Sequence, residues 1–364
     1  MHRGNPLSLT PIAETGPRFR TFAPYVPALG ADGTVVFQAE LTQARGGARS
    51  SIFAAAPGDP APAPTDPAPT ITVTECLAGG DLEVVSHPAL AGGRCCFYAQ
   101  TPRAERVVVL AAAGEPRIIA KGAGALGPTM NSVGVCAFRV LSPGGEAICR
   151  AGPDAAGYEQ LAAVCQELDS ADGRVRIRAF QGLPVINESG CVSCCADLDP
   201  AGRAIVLWRP SGPRIVAHTG ARFTWLGPFP MLDDAGRVVF AATEQTASGD
   251  ARSGIYLAHR GAIECLVSSP PDGPFESFRG SLIDGHRRVV YFATPRSGTL
   301  GIYAGPHPTT DRLLGLGDEF LGSTITEFAL NPVSINQAGD IAVRVGLEDG
   351  RGVIVRGEHA SEAP

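Results

Sequence analysis

Leu232-Asp-Asp-Ala-Gly-Arg-Val-Val-Phe240 places an acidic residue at Asp233, a glycine three positions on at Gly236, and an apolar run ending in an aromatic. Asp at the start of a tight turn accepts a hydrogen bond from its own backbone two residues on. Gly236 takes the left-handed conformation that a hairpin with a bulge requires. Val238-Val239-Phe240 is apolar at consecutive positions, as suits a strand buried on both faces. The stretch reads as strand, turn, strand.

The same pattern recurs along the chain. With the glycine as anchor, the copies fall at Gly33, Gly93, Gly134, Gly190, Gly236 and Gly339, with Arg287 in its place once. Three residues earlier stand Asn131, Asn187, Asp233, Asp284 and Asn336, while the first two copies carry Gly30 and Leu90. Four residues after the anchor come Phe37, Phe97, Phe138, Phe240 and Tyr291, with Cys194 and Val343 as exceptions. Such aromatics suit the space between adjacent sheets. Pro27, Pro128, Pro184 and Pro230 precede the anchor by six; a residue that cannot donate to a ladder belongs at an edge or beside a channel. After each hairpin come a third apolar run (RVVVLAA, AIVLWRP, SGIYLAH) and, in most copies, a fourth (PRIIAKG, PRIVAHTG, AIECLVSS). Spacings from 41 residues (Gly93 to Gly134) to 60 (Gly33 to Gly93) match four-stranded propeller blades.

The seventh unit ends after its third strand, Gly352–Arg356, and Leu9–Thr15 reads like the missing fourth. A ring closed this way has no open sheet edge. The expectation is therefore an all-β, seven-bladed β-propeller of four-stranded blades over residues 9–357, closed by an N-terminal strand. Residues 1–8 and 358–364 are expected to be disordered, and the Pro/Ala-rich tract 57–70 is an insertion in the first blade. The repeats resemble those of bacterial proteins with tandem NxxGxxAF units. That resemblance covers nearly the whole chain and implies the propeller fold, with no chemistry common to the family.

Composition agrees. The chain has 45 Gly and 31 Pro among 364 residues, and both are costly inside helices. It is 44% hydrophobic and 18% charged, too apolar for general disorder. The net charge of −6 and the lack of a stripe of Lys or Arg speak against nucleic-acid or anionic-membrane partners. No apolar leader and no run of 18 apolar residues is seen, so a cytoplasmic monomer is expected, with its ten cysteines as reduced thiols.

Local motifs for chemistry are few. Cys191, Cys194 and Cys195 include a CxxC, but Cys191 and Cys195 would lie about 13 Å apart along a strand, with Cys194 facing the other way; small buried hydrophobes are expected and no metal. Gly122-Ala-Gly-Ala-Leu-Gly127 matches GxGxxG without the βαβ context that dinucleotide binding needs, so no cofactor is expected. His87 replaces the repeat's proline on the innermost strand of the second blade and could face the channel. The connections entering the innermost strands carry Tyr25, Glu83, Arg178, Trp225, Glu276, Arg279, Glu327 and Asn331. The expected function is a ligand- or protein-binding module that takes a small molecule, peptide or protein at this loop-bearing end, with Tyr25, Arg178, Trp225, Glu327 and Asn331 as ligand-binding candidates. The alternative is an enzyme (hydrolase, lyase or cyclase) with acid/base groups drawn from several blades, His87, Glu83, Glu276 and Arg279 first among them.

Overall fold

The computed structural model describes residues 7–42, 50–56, 82–112, 115–170, 173–220, 222–246 and 249–359. They form seven antiparallel sheets, each a blade of a propeller. The one helical element among them is a single 3-10 turn, Pro332–Ser334.

Blade 5 shows the plan. Its inner strand is split into Phe223–Leu226 and Met231–Leu232, followed outward by Val238–Gln245, Ala251–His259 and Ala262–Ser269. Blade 6 repeats it with Phe275–Ile283, Val289–Pro295, Gly301–Tyr303 and Arg312–Gly315. In blade 1 the inner pieces Phe19–Thr21 and Ala28–Leu29 pair with Val35–Leu41, which pairs with Ser50–Ala55. Its expected fourth strand and the tract 57–70 lie outside the described residues. Closure is as expected: Leu7–Glu14 pairs antiparallel with Gly352–His359 at the outside of blade 7. The pairing extends beyond the expected limits, since Leu7 faces His359 and Ser8 faces Glu358, so Ser8, Glu358 and His359 belong to the sheet rather than to loose ends.

The turns explain the repeat. Asn131, Asn187, Asp233, Asp284 and Asn336 each accept, on Oδ1, the backbone N–H four residues on, at 2.8 to 3.0 Å. The bond expected two residues on is made only by Asp284, to His286 N–H. The longer reach arises because the glycine adds a bulge residue before the ladder resumes. In blade 2 the hairpin is tighter: Ala91 pairs with Arg94 across Gly92 and Gly93, both at positive φ, so Leu90 has no turn to cap.

The repeat aromatics Phe37, Phe97, Phe138, Phe240 and Tyr291 are all buried. Phe37 meets Phe19, Phe22 and Phe53 of its own blade, and this cluster packs on Ala342 and Ile354 of blade 7. Each such ring contributes roughly 2–3 kcal/mol of burial.

Two blades extend their inner strand beyond the repeat: in blade 7 Glu319–Phe320 pairs with the start of Ser323–Ala329, and blade 4 has the longer case. Glu167–Ser170 pairs with the start of a 14-residue inner strand, Gly173–Ile186, making a hairpin that extends blade 4. Leu168, Val175 and Ile177 are buried with Trp208, while Arg174, Arg176 and Arg178 line the exposed side. This is a short basic stripe of the kind not expected from the sequence. Glu167 and Asp169 pair with Arg174, and Glu167 also pairs with Arg176.

Candidate functional site

Every inner strand runs from the loop-bearing end to the hairpin-turn end, so successive residues descend the central channel. Halfway down blade 2 stands His87, only 4% exposed. Its Nε2 lies 3.1 Å from the Pro128 carbonyl of blade 3 and its Nδ1 lies 3.3 Å from Nδ2 of Asn331 in blade 7. A neutral ring protonated at Nε2 satisfies both, donating to the carbonyl and accepting from the amide. Burial pushes its pKa down to about 4, against a smaller upward effect of the Pro128 bond. Gly127 makes room for the ring: a Cβ there would sit 2.5 Å from His87 Cε1. The last glycine of the GxGxxG segment is thus packed against His87, while Gly122 and Gly124 lie against Leu141 and Arg139 of the same blade.

Other blades are tied at the same level. Thr129 Oγ1 donates to Pro184 O at 2.8 Å, and Ser334 Oγ donates to Pro27 O at 2.6 Å. The repeat prolines therefore lend their carbonyls to neighbouring blades beside the channel, where their missing N–H costs nothing.

Below this layer lies an axial cavity of about 100 Å³, lined by aliphatic side chains that include Leu29, Leu90, Ile186, Leu232 and Ile335. Its rim is made by Glu188, Asp234 and Gln337, exposed residues that each follow the first residue of their turn. Ser132 N–H donates to Glu188 Oε1 at 2.7 Å, and Glu188 N–H donates to Asp234 Oδ1 at 2.9 Å. Partial burial raises the Asp234 pKa; the Glu188 N–H bond opposes this, and the Glu188 and Asp233 charges add to it. The cavity opens toward the hairpin turns.

A larger concavity is on that same face. A groove of about 690 Å³ lies between blades 3 and 4, bounded by their turns and by the connection Gly152–Glu159. Val133 (59% exposed) and Tyr158 (45%) present apolar surface to it. Tyr158 stands edge-on to the buried Phe138 at 5.8 Å. Arg150 is committed internally, donating to Glu159 Oε2 at 2.7 Å and to Gly190 O at 2.9 Å. The groove and the axial cavity share Asn131 and Glu188.

The sequence candidates are distributed around the opposite end. Only His87 and Asn331, placed there in different roles, are joined directly. Tyr25 lies near Glu83 and Arg106; partial burial raises its pKa, Arg106 opposes this and Glu83 reinforces it. Glu327 pairs with the buried Arg344. Arg178, Glu276 and Arg279 are exposed, and Trp225 is 37% exposed, each on the inner strand of blade 4, 5 or 6. Among the described residues no carboxylate bonds to His87, whose two nitrogens are occupied by Pro128 and Asn331. Phe22 and Phe275 are core. Cys194 and Cys195 are buried, and burial pushes the Cys195 thiol up to about 12. Among the described residues no three His, Cys, Asp or Glu side chains gather as metal ligands, and no helix is long and apolar enough to cross a membrane.

Val133, Tyr158 and Glu188 were not singled out from the sequence. The signal available was an apolar residue inside a four-residue turn and a lone tyrosine in a Gly/Ala-rich connection.

No family model matches the chain, and no curated protein matches it. Solved structures do. An acylaminoacyl peptidase from Pyrococcus horikoshii aligns with a TM-score of 0.53 at 10% identity, over 91% of this chain and 53% of that one. A puromycin-hydrolyzing peptidase from Mycobacterium tuberculosis aligns at 0.47 and 16%, over 94% and 52%. YCF48 bound to D1 peptide aligns at 0.41 and 12%, over 96% and 100%. The chain spans about half the length of the two peptidases. At these identities the likeness is one of fold, and the fold is the β-propeller.

Proposed function

We propose that this chain is a non-catalytic binding module that receives a peptide or protein segment on the hairpin-turn face of the ring. The observation that carries the reading is the contrast between the two ends of the channel. Toward the loops, the polar groups of His87, Asn331 and Pro128 satisfy one another and offer a ligand no free nitrogen of the histidine. Toward the turns, an apolar groove lies open beside a smaller axial cavity with a polar rim. A general base needs a free nitrogen within reach of substrate, and His87 has neither a free nitrogen nor an ionised partner to orient it. The working end is therefore the opposite of the loop-bearing end expected from the sequence. The repeat, on the same proposal, is of the NxxGxxAF type.

Two variants test this against the enzyme alternative. Peptides selected from a random library on the immobilised chain are expected to be lost with Val133→Glu, which puts a charge in the groove without disturbing buried structure. They are expected to remain bound and chemically intact with His87→Gln. Turnover of a selected peptide, or of ester or amide substrates, that disappears in His87→Gln would overturn the reading in favour of a hydrolase.

A further inference from the structure

The groove presents mostly apolar surface, the axial cavity presents mostly polar surface over an aliphatic floor, and the ridge between them carries charge of one sign. Glu188 belongs to the lining of both, and Asp234 adjoins it. The cation among the described residues that line the groove, Arg150, is neutralised by Glu159 and held by the Gly190 carbonyl. Arg237, in the same turn as Asp234, is spent on Asp233. The Asn131 side chain is likewise committed, donating to Asn187 O at 3.2 Å and accepting from Val135 N–H at 2.9 Å. Glu188 and Asp234 keep capacity: a carboxylate has about four acceptor sites, of which Ser132 uses two on Glu188 and the Glu188 N–H uses one on Asp234. A ligand crossing from groove to cavity therefore meets apolar surface, then unneutralised carboxylate at the mouth of the cavity.

Resting on the binding-module reading above, we propose that the occupant is a basic segment of a partner protein in which a Lys or Arg stands beside a bulky apolar side chain. An aromatic or large aliphatic side chain fills the groove against Val133 and Tyr158, and the cation pairs with Glu188 and Asp234 at the rim of the axial cavity. The volumes fit this order: about 690 Å³ takes a bulky anchor with adjoining backbone, and about 100 Å³ is too small for a second anchor. An acidic segment would set like charges against the ridge, and nucleic acid would find no free cation there. The net charge of −6 adds a long-range pull in the same direction.

The test is the composition of what binds. Random twelve-residue peptides displayed on phage are selected on the full chain and, in parallel, on the Glu188→Gln, Asp234→Asn double variant, with thermal unfolding confirming that both are folded. Wild type is expected to enrich peptides of net positive charge with Lys or Arg beside an aromatic or aliphatic residue. Synthetic copies are expected to bind the double variant about fivefold or more weakly, and to weaken as salt is raised. Enrichment of acidic or neutral peptides, or equal affinity for the double variant, overturns the charge assignment and leaves the binding module standing. No enrichment over a blank surface overturns both. A dimer in light scattering that Val133→Glu dissociates would give the face to a second copy of this chain and overturn the proposal.

Discussion

Gly236 and Arg287 occupy the same place in their respective turns, and both are left-handed, at φ 74° and 67°. A Cβ on Gly236 would meet nothing within 4 Å, so Gly236→Ala tests backbone strain alone. It is expected to cost about 1–2 kcal/mol in chemical unfolding. Arg287 already bears that strain, offset only in part by an exposed ion pair with Glu264, of a kind worth about 0–1 kcal/mol. Arg287→Gly is therefore expected to stabilise the protein by up to about 1 kcal/mol; a loss of stability would show that the ion pair outweighs the strain. This level of structure was the most legible in the sequence. Asn and Asp at turn starts, and glycine three residues on, follow from local backbone chemistry that needs no partner. The error was one of reach, since the side chains close four residues on rather than two.

Among the elements, the strand Leu7–Glu14 carries the most consequence for its length. It joins the two ends of the chain through pairing with Gly352–His359, and Arg351 adds a bond to Glu14. A protein beginning at Gly16 would leave the strand Gly352–His359 unpaired on one side. Its unfolding midpoint is expected to fall by on the order of 10 °C, with self-association in size-exclusion chromatography as the bare edge seeks a partner. An unchanged midpoint and a monomeric profile would show that the ring does not depend on this closure. The strand was legible because a blade with three strands calls for a fourth. The hairpin of Glu167–Ser170 with the start of Gly173–Ile186 was not, because it interrupts the repeat, and its alternation of Arg with Val and Ile stands out only once the repeat is set aside.

At the scale of the whole molecule, His87 ties blade 2 to blades 3 and 7, and its neutral form is part of the fold. Its folded pKa of about 4 lies below the ordinary value near 6.5, so at intermediate pH the unfolded chain binds more protons. Its contribution to stability is present above about pH 6.5 and is lost as pH falls toward about 4, by at most about 3 kcal/mol. His87→Gln is expected to flatten the wild-type decline between pH 7 and 4.5 in denaturant titrations, and parallel curves would remove the histidine from the account. That His87 faces the channel was readable from its place in the repeat. That its nitrogens are spent was not, because Asn331 lies 244 residues away. The groove was illegible for a similar reason: it exists only where two blades meet, and no single repeat encodes it.

Leu7 lies opposite His359 at the outer edge of blade 7. The groove lies between blades 3 and 4, which in a seven-membered ring is half a revolution away. Whatever is fused or anchored at either end of the described chain therefore leaves from one shared point on the far side of the disc. A tether there holds the protein without shading the groove, and an anchored molecule still presents that face to a partner arriving from the opposite side.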